Sequence, residues 1–292
     1  MTGRPFERLS AAPSEVEGRE SQDGGESTLR QAPARVTFLG TGTSSGVPMI
    51  ACECATCTSS DPRDKRLRPS IVVDVPGHAS ILVDTTPDLR QQALTYGIRR
   101  IDAILFTHGH ADHILGLDEI RRFNWIQGGA IPCYANRETW TTIRHVFSYA
   151  FDEGPRLGGG IPSIDAREIE TPFSVNGVRV VPIPLWHGNA PILGFRFGTF
   201  AYLTDCNRLD DGAWSLMHDV DTLVIDALRD KPHTTHFTVA EALDVIARIR
   251  PRRAYMTHMG HDLRHAATTA RLPAGVELAY DGLVVEVAVD VK

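Results

Sequence analysis

Phe106–Leu117, FTHGHADHILGL, decides how the rest of the chain is read. A short apolar strand, DAILFTH, runs into it and ends at Thr107. His108, His110, Asp112 and His113 then follow within six residues. At a strand end, residues i and i+2 face the same way, so His108 and His110 can hold one ion. The chain then turns, and Asp112 and His113 can point toward a second ion. Asp112 is also a candidate for a direct catalytic role. Imidazole and carboxylate suit borderline divalent cations: zinc or manganese, with iron a further candidate. A solvated loop with surface histidines is the plainer alternative, and the density of ligand types in so few residues speaks against it.

Outward from this stretch, VTFLG, SIVVDV, SILVDTT, IPCYAN, VRVVPIPL, FAYLTD, TLVIDA, RAYMTH and VELAYDGLVVEVAV read as further strands. They are short, β-branched, and bounded by Gly, Pro, Asn or Asp. Asn176-Gly177 predicts a hairpin. Helices are expected between several strands. Thr86-Pro87 opens one, with proline at its first position. Thr238 and Glu241 form a capping box before EALDVIARIR, where Leu243, Ile246 and Ala247 share a face. Residues 137–149 and 210–218 carry weaker helical patterns. Hairpins with interspersed helices predict an α/β domain, an αββα sandwich of two sheets with outer helices.

The 292 residues suffice for one large domain or two small ones. Residues 1–34, rich in Ser, Glu, Gly, Arg and Pro, read as a disordered tail, and 35–292 as the catalytic domain. A net charge of −6 argues against a broad basic surface, so a nucleic-acid partner is not expected. No run of about 18 apolar residues offers a membrane span. MTGRPFERLSAAPSEVEG has no apolar segment of the signal-peptide kind. A cytoplasmic location is therefore expected, and there five cysteines are thiols or metal ligands rather than disulfides. Cys52, Cys54 and Cys57, in ACECATC, form a C-x-C-x₂-C cluster that reads as a soft-metal site. Tetrahedral zinc would need a fourth ligand. Unliganded loop thiols are the alternative. Cys133, inside a strand, reads as core. TGTSSG lacks the ending of a phosphate loop, and its glycines read as tight-turn residues.

The arrangement resembles the metallo-β-lactamase superfamily from about Val36 to the C-terminal strand. That resemblance implies roles for residues that spacing alone would not single out. Asp84, in SILVDTT, would orient the ligating histidines by hydrogen bonds. His187, in PLWHGN, would be the third histidine of the first metal. Asp205, in AYLTDC, would bridge the two ions. His258, in YMTHMGH, would complete the second. An aspartate at the bridging position fits the phosphodiesterases and thioesterases of the superfamily. Cys206 should then face the other side of its strand, as a structural residue.

FLGTGTSSGVP, CECATC, HGHADH and THMGH together are similar to the phosphoribosyl cyclic phosphate phosphodiesterases of the carbon–phosphorus lyase pathway. This implies a structural zinc on Cys52, Cys54, Cys57 and His261. It also implies a catalytic histidine 22 residues before His258, which is His236, placed to protonate a leaving oxygen. His233 competes for that role with a poorer spacing. The expected activity is hydrolysis of small phosphodiesters, cyclic ones foremost, by water activated between two divalent ions. A glyoxalase II-type thioesterase, an RNase Z-like nuclease and a non-catalytic cofactor-biosynthesis member share parts of the pattern. Arg121, Arg122 and Trp125 read as an exposed helix face near the pocket. The expected partner is a small-molecule phosphodiester, and the sequence leaves a homodimer open.

Overall fold

The computed structural model describes residues 29–152 and 160–292. In its first half the chain forms β1 (Arg30–Gly40), β2 (Ser70–Val75), β3 (Ala79–Val83), α1 (Leu89–Tyr96), β4 (Ala103–Leu105), α2 (Ala111–Ile114), α3 (Arg121–Gln127), β5 (Ile131–Ala135), α4 (Arg137–Val146), α5 (Ser148–Phe151) and β6 (Ile164–Glu168). The second half adds β7 (Phe173–Val175), β8 (Val178–His187), β9 (Ala190–Phe197), β10 (Phe200–Leu203), α6 (Asp211–Ser215), β11 (Thr222–Asp226), α7 (Val239–Ile249), β12 (Arg253–Thr257), α8 (His265–Thr269), β13 (Val276–Leu278) and β14 (Val284–Val291).

The ladder runs β13-β12-β11-β10-β9-β8-β14-β1-β2-β3-β4-β5-β6, with β7 paired to β8. It folds into two sheets at β8. Val178 pairs with Val291 of β14, whereas the strand from Val181 to His187 pairs with β9. Strand alternation explains the layering. Ile71, Val73, Ile81 and Val83 point between the sheets, where they meet Phe195, Phe200, Tyr202, Val224 and Tyr255. Their neighbours Val72 and Leu82 point outward and are covered by Leu89, Phe123, Trp140 and Ile143 of α1, α3 and α4. On the other side Leu203, Leu223 and Ile225 point outward under Val239, Ala242, Val245 and Ile246 of α7. Both faces of both sheets are buried, which is why these strands read as continuous apolar runs. The architecture is the expected αββα sandwich.

Several local expectations are corrected. β1 begins at Arg30, not at residue 35, because Arg30–Ala34 pair with β14 from Val291 to Val287. A polar side-chain texture does not prevent backbone pairing where the partner strand supplies the ladder. Residues 1–28 of the predicted tail lie outside the described residues. Thr86-Pro87 does not open α1; the helix starts at Leu89 after Asp88. Thr86 instead forms a turn, its hydroxyl bonding Gln92 and accepting from the Asp88 amide. The capping box at Thr238 and Glu241 is present, but the buried face of α7 is Val239, Ala242, Val245 and Ile246, and Ala247 is exposed. Residues 137–149 do not make one helix: the chain breaks at Phe147, whose buried ring takes φ −110° and ψ 37°. The second weak helix is shorter than 210–218, spanning Asp211–Ser215 behind an Asp210 cap. The Asn176-Gly177 hairpin joins β7 and β8.

Candidate metal centre

β3 and β4 run parallel, as do β10, β11 and β12. Their C-terminal ends therefore open on one edge of the sandwich. Asp84 follows β3, and His108 lies just beyond β4. Asp205 lies just beyond β10, Asp226 ends β11, and His258 follows β12. The antiparallel β8 delivers His187 to the same edge. Asp84, Asp205 and His258 leave their strands with φ of 64°, 55° and 58°. This left-handed backbone costs a non-glycine residue of order 1–3 kcal/mol and persists where surroundings over-determine it. Here it turns each side chain back over the strand ends.

The ligand atoms fall into two groups, each mutually within 4.8 Å: His108, His110 and His187, and then Asp112, His113, Asp205 and His258. Asp205 joins them. Its Oδ1 is 3.0 Å from His258 Nε2 and 3.9 Å from His108 Nε2, and its Oδ2 is 3.1 Å from His113 Nε2. Asp112 Oδ2 lies 3.5 Å from His113 Nε2 and 3.6 Å from His258 Nε2. All seven expected ligands are thus brought together.

The residues fit divalent cations. The buried Nε2 atoms of His108, His113 and His258 have no hydrogen-bond partner among the described residues. An orphaned buried polar atom is costly and calls for an occupant. The opposite ring atoms of His108 and His113 are already committed, His108 Nδ1 at 3.1 Å from the Thr107 hydroxyl. His113 Nδ1 is 2.8 Å from Asp84 Oδ2, and Asp84 also accepts from the Thr107 amide and hydroxyl at 2.8 Å each. His187 Nδ1 donates to the Thr235 carbonyl at 3.0 Å, which leaves its Nε2 lone pair free. Asp84 is thus placed against the ring of His113, the arrangement in which a carboxylate fixes a ligating imidazole.

The electrostatics agree. Burial pushes His108 well below the usual imidazole range and His187 down to about 4, keeping both neutral. Burial opposes charge on His113 and His258 too. Asp205, Asp84 and Asp112 outweigh it at His113, and Asp205, Asp112 and Asp226 at His258, which is pushed up to about 10. Without a metal, the carboxylates recruit protons to the histidines; a cation can replace those protons.

His236 stands at the rim of this cluster, buried, with its ring 4.6 Å from that of His187 and 4.7 Å from that of His258. Its Nδ1 is held 3.0 Å from Asp226 Oδ2. Burial raises the carboxyl pKa of Asp226 against the pull of His236 and His258. Sequence reasoning missed Asp226. The available signal was TLVIDA, one more strand ending in an acidic residue beside two others that end in ligands. His233 is exposed, 5.0 Å ring to ring from His236.

The Cys cluster also closes. Cys52, Cys54 and Cys57 Sγ lie 3.2, 3.5 and 3.6 Å from His261 Nδ1. The Cys57 amide, donating to the Cys54 sulfur, is the main cause that holds the Cys54 thiol at about 6, whereas burial pushes Cys57 up to about 11. Cys133 is buried in the core, and Cys206 packs behind the second sheet, away from the ligands. The TGTSSG glycines pack against backbone: a Cβ on Gly42 would come 2.8 Å from the Arg66 carbonyl oxygen, and Gly46 turns at φ 65°. Arg121, Arg122 and Trp125 are exposed, with the Arg122 guanidinium 4.3 Å over the indole. No helix among the described residues is long and apolar enough to cross a membrane.

A family model for the beta-lactamase superfamily domain matches residues 79–259. The crystal structure of a new diphosphatase from the PhnP family superposes with a TM-score of 0.83 at 44% identity, covering 89% of this chain and 99% of that one. Zinc-bound PqqB from Methylobacterium extorquens (21% identity, TM-score 0.67, 86% and 99% coverage) and the short form of human tRNase Z (20%, 0.63, 86% and 98%) share the fold. Among curated relatives, an octanoyltransferase of Porphyromonas gingivalis is 36% identical over 260 residues, 88% of this chain. The chain spans about half (52%) of that relative's length. Coenzyme PQQ synthesis protein B of Methylobacterium nodulans is 35% identical over 222 residues, 65% of this chain and 71% of its own. The chain belongs to the beta-lactamase superfamily and has the metallo-β-lactamase fold.

Proposed function

We propose that this chain hydrolyses small phosphodiesters, cyclic ones among them. The observation that carries the reading is the buried His236–Asp226 pair beside the ligand cluster. Two divalent ions, zinc or manganese with iron a further candidate, would be held by His108, His110 and His187 and by Asp112, His113 and His258, with Asp205 between them. When bound they would supply Lewis acidity toward phosphoryl oxygens and acidify water. The chain's own residues do the rest. Asp84 and Thr107 hold His113 and His108 in place before substrate arrives. Asp226 accepts from His236 Nδ1, which presents Nε2 toward the space over His187 and His258. From there Nε2–H can donate to a departing alkoxide oxygen. The PhnP-family likeness at 44% identity supports hydrolysis at phosphorus.

That relative is a diphosphatase, which favours a second reading, hydrolysis of a phosphoanhydride. Both are separated from a thioesterase by one assay series: metal analysis of the purified protein with turnover of cyclic and linear phosphodiesters, diphosphate esters and S-lactoylglutathione. Phosphodiester turnover dependent on about two divalent ions is expected. Thioester hydrolysis without any phosphodiester turnover would overturn the proposal.

We also assign a structural zinc to Cys52, Cys54, Cys57 and His261. A closed four-ligand site contributes folding free energy directly. Cys54→Ser should therefore release about one zinc per chain. It should lower the melting temperature by on the order of 5–10 °C, at about 2–4 °C per kcal/mol for a domain of this size. Zinc content equal to wild type would show that the thiols are merely packed.

A further inference from the structure

The segment after β12 carries residues of both centres. His258 faces the histidine–carboxylate cluster, and His261, three residues later, faces Cys52, Cys54 and Cys57. His258 sits in left-handed backbone, at φ 58°, so the chain beyond it must be held for its ring to stay in place. Arg66 does the holding. Its side chain is 0% exposed. One guanidinium nitrogen, Nη1, donates to the Gly260 carbonyl at 2.9 Å, and Nη2 donates to the Leu263 carbonyl at 2.5 Å. These two carbonyls flank His261. Asp64 pairs with Nη2 at 3.4 Å and accepts from the His265 amide at 2.7 Å, fixing the far end of the same turn.

The backbone of Arg66 binds the loop that leads into the Cys cluster: its amide donates to Val47 O at 2.7 Å and its carbonyl accepts from Val47 N at 2.9 Å. Thr41 and Thr43 clamp Met259 from the other side, at 3.0 and 3.2 Å. A Cβ on Gly42 would lie 2.9 Å from Arg66 Cβ, so the clamp has no slack.

We propose that Arg66 is a positioning residue that couples the two centres, holding His258 and His261 in one geometry so that metal at the Cys cluster favours metal at the histidine–carboxylate cluster. The proposal rests on the reading that both clusters bind metal, and not on the substrate class. The coupling is reciprocal, as any linkage between two binding equilibria must be. Lysine cannot replace the guanidinium, because one ammonium lacks the planar fork that reaches two carbonyls at once.

The test is titration of chelator-stripped full-length protein with cobalt(II). Thiolate–cobalt charge-transfer bands report the Cys cluster, and d–d bands of the nitrogen–oxygen site report the other centre. Cys54→Ser should weaken cobalt binding at the histidine–carboxylate centre by about 10-fold. Arg66→Lys should weaken it by about 10–100-fold, the range for residues that orient ligands. In the Arg66→Lys background, Cys54→Ser should add little. A lower melting temperature in Arg66→Lys with unchanged cobalt affinities would show that Arg66 only packs the core, and would overturn the proposal. If Arg66→Lys does not fold, Asp64→Asn replaces it. That variant loosens the guanidinium and should weaken the same centre, and unchanged affinity would overturn the coupling. The bands are read without substrate, so a protein that shows the coupling but cleaves no phosphodiester loses only the functional proposal. A protein without cobalt bands loses the metal assignment itself.

Discussion

Asp205→Ala should reduce kcat/KM by about 10³-fold or more and remove roughly one of the two divalent ions. Asp205 reaches both groups of ligand atoms, with Oδ1 3.0 Å from His258 and 3.9 Å from His108 and Oδ2 3.1 Å from His113. Without it those imidazoles face each other across the site with Asp112 as the remaining nearby carboxylate on that side. Lewis-acid stabilisation supplies several kcal/mol to reactions of this kind, and about 4 kcal/mol corresponds to 10³-fold. Asp205→Asn, which keeps one oxygen and loses the charge, should fall between the alanine variant and wild type. Metal content by elemental analysis and kcat/KM on one phosphodiester, measured on the same preparations, check the result. An alanine variant with wild-type activity would remove Asp205 from the ligand set.

The parts of this site differ in how plainly the sequence shows them. His108, His110, Asp112 and His113 are legible because one turn after one strand delivers them all. His187, Asp205 and His258 are separate residues that look like strand-end caps, and only resemblance to a family gives them meaning. The structure supplies the physical reason: three parallel strands, β10, β11 and β12, end side by side at the edge where β4 ends. Asp226 has the same strand-end signature, yet its role depends on lying behind His236, ten residues away across a loop. Arg66 carried no signal at all, since a buried arginine in KRLRPS looks like surface charge until its carbonyl partners 194 and 197 residues later are known. Helix boundaries failed where tertiary contacts override local chemistry. Thr86 bonds Gln92 and so makes a turn where a helix start was expected, and the α7 stripe is set by what covers Leu223 and Ile225. The sandwich itself was legible because hairpins with helices interspersed between the strands already implied two sheets with outer helices.

His236→Ala should slow hydrolysis of phosphodiesters with alkyl leaving groups by about 10²–10⁴-fold, the usual range for a general acid. In the proposed reaction His236 is the proton donor. Asp226 Oδ2 lies 3.0 Å from Nδ1, and the Phe237 amide also donates to that oxygen at 3.3 Å, so the carboxylate is held and the ring cannot turn. Nε2 is left as the donor, over the rings of His187 and His258. A p-nitrophenolate leaving group departs with little protonation, and its loss in the same variant should be much smaller. A diphosphate ester, whose leaving group is a stable phosphate, should behave like p-nitrophenolate. The ratio of the losses therefore also separates the phosphodiester reading from the phosphoanhydride one. Metal content should match wild type, because His236 is not among the assigned ligands. Asp226→Asn keeps the ring and removes the charge that orients it. It should lower kcat on the alkyl ester more than on the p-nitrophenyl ester, with KM nearly unchanged. Equal losses for good and poor leaving groups would show that His236 contacts phosphate without protonating the leaving oxygen. An alanine variant as active as wild type on an alkyl diester would remove it from the reaction and bring the thioesterase reading forward.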